Sequence, residues 1–259
     1  MTIWDQELTA LDVETTGLLS DRGDRVIEIA IVRGRFGAAP RRWSSLVFPD
    51  RRVAATHIHG LTDSDVAQAP TFAQLVPTLA EHVRGTVLVA HNAPFDLRFI
   101  AMELARGGGE LPIGAVVDTL GLARRHLALP SHALGALCDC FTIPRAGAHR
   151  ALADAEATWA LVWALLEVID PDHELTLDAV LDRCRRRTRE EHLALRRALL
   201  DAQRRGVRLL IDYNSADHAN EARTRRPITV QRVYAHRVVA WCHLRDGERT
   251  FRLDRLRIV

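Results

Sequence analysis

The sequence predicts an α/β fold built on a sheet of mixed direction, with a small β module following it. Three observations carry this reading. Three apolar, strand-like segments come first, helix and strand then alternate, and the chain then turns mainly helical. Beyond Asp170-Pro171-Asp172 an arginine-rich helical stretch leads into closely spaced short β segments. At 259 residues with 47% hydrophobic content, there is enough chain for more than one average domain.

Each element follows from its local pattern. Residues 8–14 read as a buried strand broken by Thr15-Thr16-Gly17. Residues 25–33 (RVIEIAIVR) and 43–48 complete a meander with it. Helical spacing marks 71–84, starting after Pro70. A short apolar strand at 86–90 leads to a helix over 94–106, since Pro94 suits a first helical turn and the glycines at 107–109 end it. A strand at 116–118 precedes helices at 133–141, with Ser131 as cap, and at 150–169. The tail should be helical over 175–205, then β over 207–213, 228–233, 237–244 and 250–259, with a hairpin turn at Asp246-Gly247. The expected domains are 1–169, a helical connector at 170–192, and 193–259.

Charge divides the same way. Residues 183–259 hold 20 arginines against 9 acids, residues 1–182 hold 15 against 24, and no lysine occurs anywhere. An acidic part joined to a basic part that can hold a polyanion is the reading this supports. The four cysteines lack zinc-ligand spacing and read as reduced, mostly buried thiols. No apolar run reaches the roughly 18 residues of a membrane span, and the N-terminus lacks a secretory pattern, so a cytoplasmic location is the expectation.

The acids at the first strand are the most informative feature. Asp12 and Glu14 are two apart, so both leave one face of the sheet. Two carboxylates at about 4 Å repel by about 4 kcal/mol at an effective dielectric near 20. A shared proton or a divalent cation relieves this, and magnesium or manganese suits oxygen donors. Asp96 and Asp154 add two more acids, each near the start of a helix, where a carboxylate is also stabilising in its own right.

The strings LDVETTG (residues 11–17), HNAPFD (91–96) and HRALADAEAT (149–158) resemble, in order and spacing, the three motifs of the DEDDh exonucleases. Residues 54–72 and 116–124 resemble the same family, which includes the proofreading epsilon subunit of bacterial replicative polymerases. The resemblance spans about residues 7–169. It implies a ribonuclease H-like mixed five-stranded sheet flanked by helices. It also implies two divalent ions, Mg2+ or Mn2+, held by Asp12, Glu14, Asp96 and Asp154, with His149 as general base. The activity implied is 3′–5′ release of nucleoside monophosphates, with single-stranded DNA ends as the expected partner and RNA as the alternative. Thr15 and Thr16 would meet the 3′-hydroxyl through their backbone, Leu18 would wedge against the terminal base, and His59 and Phe95 would stack on base or sugar.

Residues 193–259 resemble a WYL domain, an SH3-like β module, with the strings at 197–213 and 225–256 carrying the match. The naming tripeptide aligns near His236-Arg237-Val238 and is absent, and Val230 stands near the usual proline. Such modules are associated with nucleic acid or nucleotide-like effectors, which here makes Arg223, Arg225, Arg226, Arg245, Arg249, Arg252 and Arg255 the candidate phosphate contacts. Three alternatives stay open: an exoribonuclease of the oligoribonuclease or tRNA-trimming kind, an accessory proofreading subunit, and a nucleic-acid-binding regulator with a non-catalytic nuclease fold.

Overall fold

The computed structural model describes residues 1–145, 147, 149–184, 189–213, 224–253 and 256–259. Contacts divide the chain into two compact units, Met1–Leu122 with Ser131–Cys184, and Ala123–Pro130 with Arg185–Val259. Each contains one five-stranded sheet.

In the first unit the strands are β1 (Leu8–Thr15), β2 (Val26–Gly34), β3 (Arg41–Leu46), β4 (Val87–Ala90) and β5 (Val116–Asp118). Their spatial order is β3-β2-β1-β4-β5. The β1–β2–β3 meander is antiparallel, while β4 and β5 run parallel to β1, so the sheet is mixed as the element order predicts. The unit's helices are α1 (Thr56–His59), α2 (Asp63–Val66), α3 (Phe72–Val83), α4 (Ala93–Gly107), the start of α5 (Thr119–His126, whose residues from Ala123 group with the second unit), α6 (Leu134–Phe141), α7 (Ala151–Ile169) and α8 (Leu177–Cys184). Gln74 Oε1 accepts the Thr71 N–H at 2.8 Å and fixes the start of α3.

Strand alternation decides what each face of β1 carries. Leu11 and Val13 enter a core with Ile29, Ile31, Phe72, Leu79, Phe99 and Ile100, drawn from β2, α3 and α4. Asp12 and Glu14 therefore lie on the opposite face, the one that α7 covers. That helix is apolar over most of its circumference, with Ala155, Leu161, Val162, Leu165 and Leu166 buried.

The segment after α7 does not simply lead away from the sheet. The Asp170 carboxylate accepts the Trp4 indole N–H at 2.7 Å and the Leu175 N–H at 2.9 Å. Trp4 stacks on His173 with ring centroids 3.7 Å apart. By contacts, α8 and residues up to Cys184 group with the first unit.

The second unit holds α9 (Arg189–Arg205), β6 (Arg208–Tyr213), β7 (Thr224–Val233), β8 (Arg237–Cys242), β9 (Gly247–Arg252) and β10 (Leu256–Ile258). The sheet is wholly antiparallel, in the order β10-β6-β7-β8-β9, and α9 packs on β7. Leu199, Ile211, Ile228, Val238 and Phe251 form its core. Within the helix expected over 175–205, α8 and α9 are helical, and residues 185–188 lie outside the described residues. One expectation changes here. The strand expected over 250–259 is two, because β9 pairs with β8 at one edge while β10 pairs with β6 at the other. One straight strand cannot reach both edges. Among the described residues no helix is long and apolar enough to cross a membrane.

Candidate active site

Asp12, Glu14 and Asp154 each bring one carboxylate oxygen within 4.8 Å of the others. The first two come from the end of β1 and the third from the first turn of α7. Asp96, in the first turn of α4, is buried and its Oδ1 accepts the Val13 N–H at 3.2 Å, which ties it to the strand between the other two acids. The four acids named from the sequence thus converge from three elements.

Their electrostatics is that of crowded like charges. Burial, then the neighbouring Asp96, Asp154, Glu14 and Glu28 carboxylates, push Asp12 well above the usual carboxylate range. Burial followed by Asp154 and Glu28 pushes Glu14 to about 7, against the opposing pull of Arg150 and Arg145. Asp96 rises to about 8, chiefly through burial, with hydrogen bonds to backbone N–H groups opposing the rise. Such a donor set is all oxygen and close-packed, with Arg145 and Arg150 as the positive charges near it. It fits a divalent cation of the magnesium or manganese type, which Asp12, Glu14 and Asp154 would hold with Asp96 beside them.

The turns before α4 and α7 share one device. Asn92 at φ +69° and His149 at φ +63° are both left-handed, which is uncommon outside glycine. Each precedes a helix whose first turn carries an acid. The Asn92 turn is braced by Asp118, whose Oδ1 accepts the N–H groups of Asn92 at 2.9 Å and Leu120 at 3.1 Å. His149 is exposed.

Two arginines and one acid that the sequence reading did not single out belong to the surroundings of this cluster. Arg145 donates from Nε and Nη2 to Asp154 Oδ1 at 2.9 and 2.7 Å. Arg150 forks Glu28 with bonds of 3.0 and 2.8 Å, and Glu28 stands directly across from Glu14 in the β1–β2 register. The signal for Glu28 was present in RVIEIAIVR, where it is the one acid in an otherwise apolar strand core.

The expected nucleotide contacts fare unevenly. Leu18 is 69% exposed, in the turn after β1. The Thr15 hydroxyl donates to the Gly17 carbonyl at 2.6 Å. Thr16 is corrected: its N–H donates to the Arg25 carbonyl at 2.9 Å and its hydroxyl bonds Asp24 and the Arg25 N–H, so it builds the turn instead of presenting a donor. His59 is corrected too. It is 5% exposed, Nδ1 accepts the Leu61 N–H, and Nε2 pairs with the Ala54 carbonyl, so no free ring face is offered. Phe95 is half-buried against Phe99, with ring centroids 5.0 Å apart, and Arg98 lies over it.

In the second unit Arg245, Arg249 and Arg252 are exposed. Arg225 is exposed but pairs with Asp212 at 3.3 Å. Arg226 is corrected: it is 6% exposed and lies over the Tyr213 ring, as a packing group. Arg223 and Arg255 lie outside the described residues.

Residues 9–162 match the family described as Exonuclease, and residues 194–259 match the WYL domain. A PolC-type DNA polymerase III of Oceanobacillus iheyensis is 38% identical over 168 residues, which are 64% of this chain and 12% of that protein. An epsilon-like protein of Rhodobacter capsulatus is 37% identical over 190 residues, 69% of this chain and 26% of the other. The chain therefore spans only a minor part of those two relatives. The DNA polymerase III epsilon subunit of Treponema pallidum is 35% identical over 61% of this chain and 75% of its own. Among solved structures, exonuclease X in complex with 5′ overhanging duplex DNA is 28% identical, with a TM-score of 0.54 over 69% of this chain and 99% of that one. Exonuclease I of E. coli, solved with single-stranded DNA, shares the fold with a TM-score of 0.58 at 19% identity, over 91% of this chain and 54% of its own.

Proposed function

The chain belongs to the exonuclease family, with a WYL domain behind the family's fold, and from that we propose that it is a metal-dependent 3′–5′ exonuclease releasing nucleoside monophosphates from single-stranded DNA. The observation that carries this is the convergence of Asp12, Glu14 and Asp154 within 4.8 Å, with buried Asp96 alongside. The functional division we assign is a catalytic domain at 1–169, a connector at 170–192 and an SH3-like WYL domain at 193–259.

Bound at the four acids, two Mg2+ or Mn2+ ions supply Lewis-acid stabilisation to the attacking and leaving oxygens of a phosphodiester. The chain's own residues do the rest. The raised proton affinities of Glu14 and Asp96 mean that cation binding releases protons near neutral pH. His149, exposed at the shoulder of α7, takes the proton of the attacking water, a task that an imidazole suits near neutral pH. Leu18 wedges against the terminal base, Thr15 borders the 3′-hydroxyl and Phe95 supports the sugar. In the WYL domain, Arg245, Arg249 and Arg252 are the phosphate contacts for nucleic acid.

End-labelled single-stranded DNA and matched RNA, digested with magnesium, manganese or chelator, test this. Stepwise shortening of 3′ ends with DNA preferred and with activity lost in chelator is expected. A preference for RNA would turn the assignment to an exoribonuclease, and no release of mononucleotides would overturn it.

A further inference from the structure

We propose that Glu28 is a positioning residue for this reaction, acting through Arg150 and the first peptide of α7 to set where His149 and Asp154 stand against the β1 carboxylates. The proposal rests on the nuclease reading of the site. Glu28 is 4% exposed, and both its oxygens are engaged. Oε1 accepts from Arg150 Nη2 at 2.8 Å, while Oε2 accepts from Arg150 Nε at 3.0 Å and from the Ala151 N–H at 3.0 Å. A forked guanidinium fixes orientation as well as distance. The same Arg150 hands on the constraint through its backbone, because its carbonyl accepts the Asp154 N–H at 3.1 Å.

His149 is the residue immediately before that clamp. Its φ of +63° is a conformation that non-glycine residues hold only where the surroundings enforce it. The tether at Arg150 supplies such a constraint on one side. Asp154 lies one turn beyond Ala151, so the Glu28 bonds fix the end of α7 from which it projects. Because three N–H donors already occupy Glu28, it serves these residues and is not a further ligand oxygen, although it faces Glu14 across the strands.

Glu28→Gln keeps the shape but turns one acceptor oxygen into a donor that faces another donor. Three quantities are read on the full chain: kcat and KM on single-stranded DNA, Mn2+ affinity by calorimetric titration without nucleic acid, and Tm. The expected result is a kcat and an Mn2+ affinity each lowered by about tenfold or more, with KM little changed. A double-mutant cycle with Arg150→Gln should be non-additive, the pair losing no more than the worse single variant. An unchanged kcat per folded molecule, or additive losses, overturns the proposal. If E28Q does not fold, Glu28→Asp, which keeps the charge and shortens the reach by one methylene, is read the same way. Wild-type protein without nuclease activity would instead remove the function itself, whereas an active wild type with a normal E28Q removes only the positioning role.

Discussion

The two sheets handle buried charge in opposite ways. In the first, acids gather at the ends of strands and helices, and arginines come to some of them but not to others. Arg25 forks the buried Glu103 at 2.7 and 2.8 Å, Arg150 forks Glu28, and Arg145 holds Asp154. Among the described residues no arginine reaches ion-pair distance of Asp12, Glu14 or Asp96. In the second sheet the excess charge is positive and lies mostly at the surface, where Arg237 sits over the exposed Tyr234 ring, while Arg226 is buried over Tyr213. The difference teaches which acids have their charge met within the fold. Glu28 and Glu103 are buried with a guanidinium partner, whereas Asp12, Glu14 and Asp96 are crowded together without one, and Asp154 stands between the two cases, in the cluster but bonded to Arg145.

Removing one member of the crowded set should have the largest effect. Asp12→Asn is expected to lower exonuclease turnover by about three orders of magnitude or more, measured on end-labelled DNA with saturating manganese. The same variant should melt higher than wild type in chelator at pH 8, because it removes a repulsion. A lower melting point would mean that Asp12 has a compensating partner. Next in size, Glu103→Ala should destabilise the protein by about 3–5 kcal/mol in denaturant titration, since it strands a partly buried arginine. A loss below about 1 kcal/mol would place that pair with ordinary surface bridges.

The pH dependence sharpens the contrast further. Glu14 and Asp96 have folded-state values of about 7 and about 8, above their ordinary ones. The unfolded chain therefore ionises first as pH rises. The metal-free stability from these groups is fully present below about pH 4, near the ordinary carboxylate value, and is lost as pH rises through 7 to 8. Denaturant midpoints in chelator should fall over that window, and added magnesium should restore them at pH 8. Flat midpoints would show that the acids are not mutually destabilising. The smallest effect belongs to the exposed basic surface. Arg249→Ala should change stability by less than about 0.5 kcal/mol while lowering the salt slope of DNA binding by about one.

Much of the first unit was legible in the sequence because its signals are local. Strand alternation put Asp12 and Glu14 on one face, and apolar runs marked β1, β2, β4 and α7 to within a residue or two at most ends. The second unit was less legible at its end. The 250–259 segment has the composition of one strand, but whether it bends to a second edge depends on β6, some 40 residues earlier. His59 and Arg226 misled for a related reason. Both are polar residue types that look exposed in a linear reading, and both are buried by partners distant in sequence or hidden in a turn.

The sequence by itself determined the Asp12–Glu14 pair, the order of strands and helices, and the split between an acidic and a basic half, while Asp96 and Asp154 were marked by the resemblance of their motifs. The first three follow from residue type and short-range period, which the backbone enforces within a few bonds. Only the tertiary structure decided which acids keep an arginine and which do not. Arg150 finds Glu28 across 122 positions and Arg25 finds Glu103 across 78, and such pairings exist only once the sheet and its helices have closed. Desolvation is the physical reason that they matter: it makes a buried carboxylate without a partner costly, and so raises the proton affinity of the crowded acids of β1 and α4.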